Sequence, residues 1–475
     1  MSNSRMNARE RIESLLDANS FVELGAQVTA RNTDYNLGSK KAPGDGVITG
    51  YGVLGDRMVY VYAQDASVLG GSIGEMHAKK IVNMYDLAMR TGVPIVGMID
   101  CAGLRLQEAL DALHAFGTIF KKQVEASGKI PQILGVFGMC GGGSAVMTRL
   151  ADFTFVEEES GSIFVNSPNA VDGNAESVKN TASADYQAGR AGNADFVCKG
   201  EEEMLSKMRE LLSLLPSAYN TEDQVSECKD NLNRVISVPN QESYDVRALL
   251  KEISDQHLYL EPRAAYGKHM VTAFIRLNGE TVGVAANDLN DEGHAVLCRR
   301  GLNKATRFLR FCDAFQLPIL TVTNVDGLST KPGEESGLAQ SLAAFAAELV
   351  KSNVAKVNLI TGDAFGTAGL VMNSKAMGAD LVLAWKDARI GVMDAVEAVR
   401  IMYADEINSA EDQLAVIEEK SEQYEQDQES VLAAAKRGYV DDIIEPDATR
   451  KRLIAAYEML TGKYVARPEK KHTSI

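Results

Sequence analysis

The chain has 475 residues, 45% hydrophobic and 24% charged, which are the proportions of a soluble globular protein too long for a single hydrophobic core. A formal net charge of −16 argues against nucleic acid or anionic lipid as the main partner, so an anionic small ligand would need a local basic pocket or helix N-termini. No apolar stretch reaches membrane-spanning length, and the opening Met1-Ser2-Asn3-Ser4-Arg5 has no apolar segment of a signal peptide, so a cytoplasmic protein is expected.

Residues 7–16 are amphipathic, with Ile12, Leu15 and Leu16 on one face and Arg5, Arg9 and Arg11 nearby. This is either an exposed basic helix or a phosphate contact. Residues 47–63 read as a hairpin turning at Leu54-Gly55-Asp56-Arg57. Gly50, Gly52 and Gly55 inside it fit G-x-G-x-x-G, but a strand follows where the dinucleotide fingerprint requires a helix. Gly70-Gly71-Ser72-Ile73-Gly74 matches G-x-S-x-G ahead of a helix over 75–89. A nucleophile elbow needs its serine at the strand end, and this strand stops near Asp65, so a glycine-rich loop facing phosphate or a ligand carbonyl is expected instead. A buried strand over 93–99 then ends in the loop 100–108. Ligand sites of α/β proteins form at such ends, and Asp100, Arg105 and Glu108 are either part of one or a structural ion-pair cluster.

Next comes Gly138-Met139-Cys140-Gly141-Gly142-Gly143-Ser144, between a strand over 130–137 and a helix over 144–150. Amide N–H groups at a helix start have no internal partner and carry the positive end of the dipole, so two of them aimed outward hold a developing oxyanion. The alternative is a tight turn with close helix packing. Cys140 has no histidine near it in sequence to act as a base and reads as a small buried thiol. The six cysteines are scattered without a C-x-x-C pair, and the six histidines are as dispersed, so neither a disulfide framework nor a metal site is expected.

The second half repeats the first. Residues 55–65 line up with 278–288 at an offset of 223, the strand and loop ending at Gly103 line up with 317–327 at 224, and Gly141 to Met147 meet Gly366-Thr367-Ala368-Gly369-Leu370-Val371-Met372 at 225. A shift this steady means one domain used twice, with two glycine turns per chain. Two domains follow, 1–236 and 237–475, with a polar helix and loop over 201–239 as linker. Residues 409–437 read as one long charged helix stopping at Gly438, then 439–444 lead into a last helix from about Asp447 to before Gly462, and the tail from Lys463 is polar.

The strand, triple glycine, helix and following Asp152 resemble the crotonase superfamily, where such a turn forms the oxyanion hole for an acyl-CoA thioester. The whole chain resembles the carboxyltransferase subunits of biotin-dependent acyl-CoA carboxylases and decarboxylases. The stretches that carry this resemblance are 8–12, 43–45, 69–81, 105–108, 127–133, 307–313 and 435–442. It implies an α/β fold of tandem duplicated crotonase-like ββα-spiral domains, the first on the acyl-CoA side and the second on the biotin side. By position, the amides of Gly142 and Gly143 would hold the thioester oxygen and those of Thr367 and Ala368 the ureido oxygen of biotin. Ala102, Gly103, Gly141, Gly366 and Leu370 would line the substrates. The implied partners are acyl-CoA, a separate biotin carboxyl carrier protein, a biotin carboxylase or membrane decarboxylase subunit, and further copies of the chain in a hexamer. Two runs depart from the family: Gly366 to Leu370 replaces Gly-Gly-Ala-Tyr-Asp, and Asn324-Val325-Asp326-Gly327-Leu328 replaces D-x-P-G-F. A crotonase-type hydratase or isomerase with Glu108 as its acid–base group, and an idle assembly scaffold, are the competing readings.

Overall fold

The computed structural model describes residues 5–31, 42–167, 180–218, 226–237, 245–289 and 293–463. Residues Met1 to Ser4, the Pro239 end of the expected linker and the tail beyond Lys463 lie outside them. The chain divides into two compact units, Met1–Gln224 with Pro262–Tyr266, and Val225–Glu261 with Gly267–Ile475.

The strands of the first unit are β1 (Val22–Leu24), β2 (Val47–Leu54), β3 (Arg57–Gln64), β4 (Ile95–Cys101), β5 (Gln132–Gly141), β6 (Phe153–Glu157), β7 (Ser162–Phe164) and β8 (Phe196–Cys198). They make one sheet in the order β1-β2-β3-β4-β5-β6-β8, with β7 paired to the end of β5. The expected hairpin is present: β2 and β3 pair antiparallel from Val47–Gln64 to Leu54–Arg57. From β3 onward the pairs are parallel. Every residue of β4 is buried, as its unbroken apolar run requires of a parallel strand covered on both faces. The helices are α1 (Ala8–Leu15), α2 (Glu75–Thr91), α3 (Ala109–Ala126), α4 (Gly143–Leu150), α5 (Ala184–Tyr186) and α6 (Glu201–Leu214). Ile81, Met84 and Tyr85 of α2 and Phe116 and Ile119 of α3 form one core with Ile95, Ile99, Leu134 and Val136 of the sheet.

Residues 201–214 are not a linker. Glu201, Glu202 and Glu203 occupy the first turn of α6, where the helix dipole favours them, and the turns after it bury Met204, Leu205, Met208, Leu211, Leu212 and Leu214. Nor is the start of the chain a free basic helix. Arg11 is buried, with its guanidinium on Asp100 and Glu201 and over the Phe137 ring at 4.6 Å, and Arg5 reaches Asp100 at 2.7 Å.

The second unit contains α7 (Val246–Ile253), β9 (Met270–Leu277), β10 (Glu280–Asn287), β11 (Val296–Leu297), α8 (Arg299–Ala314), β12 (Ile319–Val325), β13 (Gly327–Leu328), α9 (Pro332–Lys351), β14 (Lys356–Phe365), α10 (Gly366–Val371), β15 (Leu381–Trp385) and β16 (Arg389–Gly391). Beyond these come α11 (Ala395–Met402), α12 (Ala404–Ser409), α13 (Gln413–Tyr424), α14 (Val431–Lys436), β17 (Asp442–Ile444) and α15 (Thr449–Leu460). Its sheet runs β9-β10-β12-β14-β15-β17, with β16 paired to the end of β14 and β11 paired to β13 in a separate ribbon. The duplication holds strand for strand: β3 and β10 are offset by 223 residues, and β5 and β14 by 224. A staple recurs with them, since Asp152 accepts the Gln132 N–H at 2.9 Å and Asp380 accepts the Lys356 N–H at 2.8 Å. The expected helix over 409–437 is broken instead. A π turn at Glu425–Glu429 follows α13, and Ser430, in extended conformation, accepts the Ala433 N–H on its hydroxyl to start α14 afresh.

Candidate active site

Strand β5 continues four residues past Phe137 to Gly141, and Gly142, at φ 61 and ψ −124, turns the chain into α4. Only glycine takes that backbone without strain. The Gly142 N–H donates to the Phe164 carbonyl of β7 at 2.8 Å, so it is spent on the fold. This removes Gly142 from the expected donor pair: the first amides that helix geometry leaves without an intrahelical acceptor are those of Gly143 and Ser144. A Cβ on Gly143 would lie 2.8 Å from the Phe116 ring, which packs over this amide from α3. The loop after β4 arrives alongside. Cys101 is in register with Cys140, and a Cβ on Gly103 would stand 3.6 Å from the Gly141 carbonyl, so Gly103 lies beside Gly141. The Ala102 N–H is bonded to Gly70 O at 3.0 Å and the Gly103 N–H to Cys101 Sγ at 3.2 Å. Cys140 and Cys101 are both buried, and burial pushes both thiols above their ordinary pKa, which disfavours the thiolate form in both.

The charged residues beside this loop do structural work. Arg105 bridges Asp45 Oδ1 at 2.5 Å and Glu108 Oε1 at 2.8 Å, and the other Glu108 oxygen takes the Glu75 N–H at the start of α2 at 2.6 Å. The Gly70–Gly74 loop therefore faces this carboxylate: a Cβ on Gly74 would meet Glu108 Oε1 at 2.4 Å. The α2 N-terminus expected to face a ligand is filled from within, and Glu108, its side chain fully enclosed, is not placed to serve as an acid–base group. Asp100 belongs to a different cluster, with Arg5 and Arg11.

In the second unit β14 ends at Phe365, and Gly366, at φ 56, opens α10. Thr367 is exposed, Ala368 buried, and Leu370 is 45% exposed one turn on. Strand ends match Gly142 with Gly366, an offset of 224 where the sequence alignment had 225, so the amides equivalent to Thr367 and Ala368 are those of Gly143 and Ser144. Two features beside this turn were missed from sequence. Arg389 of β16 clasps Asp363 of β14 through two hydrogen bonds of 2.8 and 2.7 Å and lies over the Phe365 ring at 5.1 Å. Beneath α10, Thr321 and Thr323 both donate to Asn358 Oδ1, at 3.1 and 2.8 Å, and Asn373 donates to Thr321 at 3.1 Å. The partners come from elements well apart in sequence, so local sequence carries no signal for them. Among the described residues no cluster of three or more His, Cys, Asp or Glu is arranged for a metal, and no helix is long and apolar enough to cross a membrane.

A profile of the carboxyl transferase domain matches residues 1–475. The chain is 36% identical over 486 residues to the methylmalonyl-CoA decarboxylase subunit alpha of Propionigenium modestum, covering 99% of this chain and 93% of the relative. It is 38% identical over 484 residues to a putative propionyl-CoA carboxylase beta chain of Bacillus subtilis, covering 99% and 94%. Among solved structures, hexameric transcarboxylase 12S with methylmalonyl-coenzyme A and methylmalonic acid bound superposes with a TM-score of 0.94 at 33% identity, over 99% of this chain and 92% of the other. The shared architecture is the crotonase-like fold expected from the sequence. The chain belongs to the carboxyl transferase family, as a biotin-dependent carboxyltransferase component of the kind found in acyl-CoA carboxylases and decarboxylases.

Proposed function

We propose that the chain moves a carboxyl group between biotin and the α carbon of a small acyl-CoA, of the propionyl or methylmalonyl class, using backbone amides at two glycine turns. The observation that carries this reading is the recurrence of the same turn at the ends of equivalent strands, β5 and β14, each opening onto amides with no helical acceptor. In the first unit, whose bulk lies within residues 1–236, the amides of Gly143 and Ser144 hold the thioester oxygen, and Ala102, Gly103 and Gly141 flank the acyl group. In the second, whose bulk lies within 237–475, the amides of Thr367 and Ala368 hold the ureido oxygen, with Gly366 and Leu370 beside the ring. These residues fit an uncharged urea ring: donors stand next to an exposed leucine, and the cationic Arg389 is already taken by Asp363. Biotin, when bound, supplies the carboxyl group and accepts the substrate proton. The protein stabilises negative charge on both oxygens and keeps the site dry, so no side-chain base is required.

A separate biotin carboxyl carrier protein delivers the biotin, and a biotin carboxylase or a membrane decarboxylase subunit completes the system. The assembly is a cytoplasmic homohexamer, following the hexamer of transcarboxylase 12S. The hydratase reading loses its candidate residue, because Glu108 is locked to Arg105 and to the Glu75 amide. The test is CO2 release from methylmalonyl-CoA or malonyl-CoA in the presence of free biotin. Turnover that needs biotin supports the proposal, and hydration of an enoyl-CoA without biotin would replace it.

A further inference from the structure

Glu429 ends the π turn Glu425–Glu429, a rare geometry that recurs at functional positions. Its side chain is fully buried, and neither carboxyl oxygen has a hydrogen-bond partner among the described residues. An unpaired buried carboxylate is costly, so burial favours the neutral acid. Burial, set against the attraction of Arg389, pushes its pKa up to about 7. The charged groups that act on it come from every side: Arg389 on β16, Asp363 on β14, Asp394 at the cap of α11, and Glu425 on its own turn. Three of these four are carboxylates, so ionisation adds a like charge to a cluster whose Arg389 is already shared with Asp363, while Arg437, just past the end of α14, is engaged on the Asp427 carbonyl and Gln428 of the same turn.

The carboxyl rests on the strand pair that delivers the second glycine turn. Gly391 is in register with Phe365, the last residue before Gly366, and a Cβ on Gly391 would lie 2.9 Å from Glu429 Cγ. The next carbonyl, Val392 O, stands 3.0 Å from where a Cβ on Gly366 would be. The side chains of Asp363, Phe365 and Arg389 share one face of this pair, because alternate residues of a strand point the same way. The Asp363–Arg389 clasp thus holds together the ends of β14 and β16, and Glu429 sits against it.

We infer that Glu429 is a positioning residue that works only as the neutral acid: protonated, it seats on Gly391 and leaves Arg389 to Asp363 and Phe365, and ionised, it draws Arg389 away and loosens the strand end carrying Gly366. The consequence for turnover rests on the reading of Thr367 and Ala368 as donors to the biotin ring. The consequence for the strand does not.

Hydrogen–deuterium exchange of the segment 365–371, corrected for intrinsic rates, tests it on the full-length protein. A group titrating near 7 raises its ionised fraction about tenfold between about pH 6 and pH 8, and exchange of this segment is expected to rise by up to that factor in the wild type. It is expected to stay flat in Glu429→Gln, while the first-unit segment 142–150 stays flat in both proteins. Should the variant fail to fold, the wild-type curve alone decides, through a midpoint near 7 in one segment and none in the other. Equal pH dependence in wild type and variant, or in the two wild-type segments, overturns the inference. If exchange behaves as expected and biotin-dependent turnover falls with it only in the wild type, both readings stand. If exchange behaves as expected but turnover ignores pH in this range, Glu429 still governs the strand, and it is the role given to the second turn that fails.

Discussion

The sharpest perturbation is Thr367→Pro. Thr367 is the second residue of α10, within the turn whose N–H groups have no acceptor in the helix, so proline removes a donor without breaking a helical bond. Its side chain is exposed, so Thr367→Ala, the control for losing the side chain, is expected to change stability by no more than about 0.5 kcal/mol. Deleting one oxyanion donor costs about 2.7 to 4 kcal/mol of transition-state stabilisation, roughly 10² to 10³ in rate. The assay is CO2 release from methylmalonyl-CoA with free biotin, run beside thermal melts and a CoA-binding titration for each protein. Thr367→Pro should lose that factor in kcat against Thr367→Ala, with melting and CoA binding unchanged. Turnover within about threefold of the alanine control would refute the assignment of this amide, and lost CoA binding would place it on the wrong substrate.

Gly143→Ala keeps its N–H but drives a Cβ to 2.8 Å from the Phe116 ring, so overpacking is expected to cost about 1–3 kcal/mol in denaturant melts. Adding Phe116→Leu should recover part of that loss, and strict additivity of the two changes would deny the contact. Arg105→Met leaves the carboxylates of Asp45 and Glu108 buried without their cation and should cost about 3–5 kcal/mol, whereas mere loss of activity at full stability would make Arg105 a ligand-binding residue. His77 is fully buried, with its ring nitrogens on Asp45 O at 2.8 Å and Gln64 at 3.1 Å, and burial lowers its pKa from 6.5 to about 3. The unfolded chain then binds the extra proton first as pH falls, so stability that is complete above about 6.5 should decline toward pH 3. Imidazole NMR should show this ring neutral down to about pH 4, and titration near 6.5 would contradict its burial.

The periodic parts of the molecule were legible before any coordinates. The β2–β3 hairpin follows from alternation around Leu54 to Arg57, α2 from the apolar spacing after Gly74, and β4 from a run with no polar interruption. The offset of 223 to 225 residues revealed the doubling, because each copy must bury the same faces and so keeps the same pattern. The misreadings share one cause. The triple glycine announced a turn with bare amides, but which amide stays bare depends on the Phe164 carbonyl, brought in on another strand. Arg105 and Glu108 announced an ion pair, but the third member is Asp45, while Asp100 went to Arg5 and Arg11. The glutamates of 201–203 announced a polar linker and hid the apolar stripe of α6 behind them. Backbone conformation is set largely by neighbours along the chain, so sequence alone determined the strands, the turns and their repetition. The fate of each polar group depends on segments far away in sequence, and only the packed structure decided which donors were consumed, which charges were buried in pairs, and that the Glu429 carboxyl has no hydrogen-bond partner among the described residues.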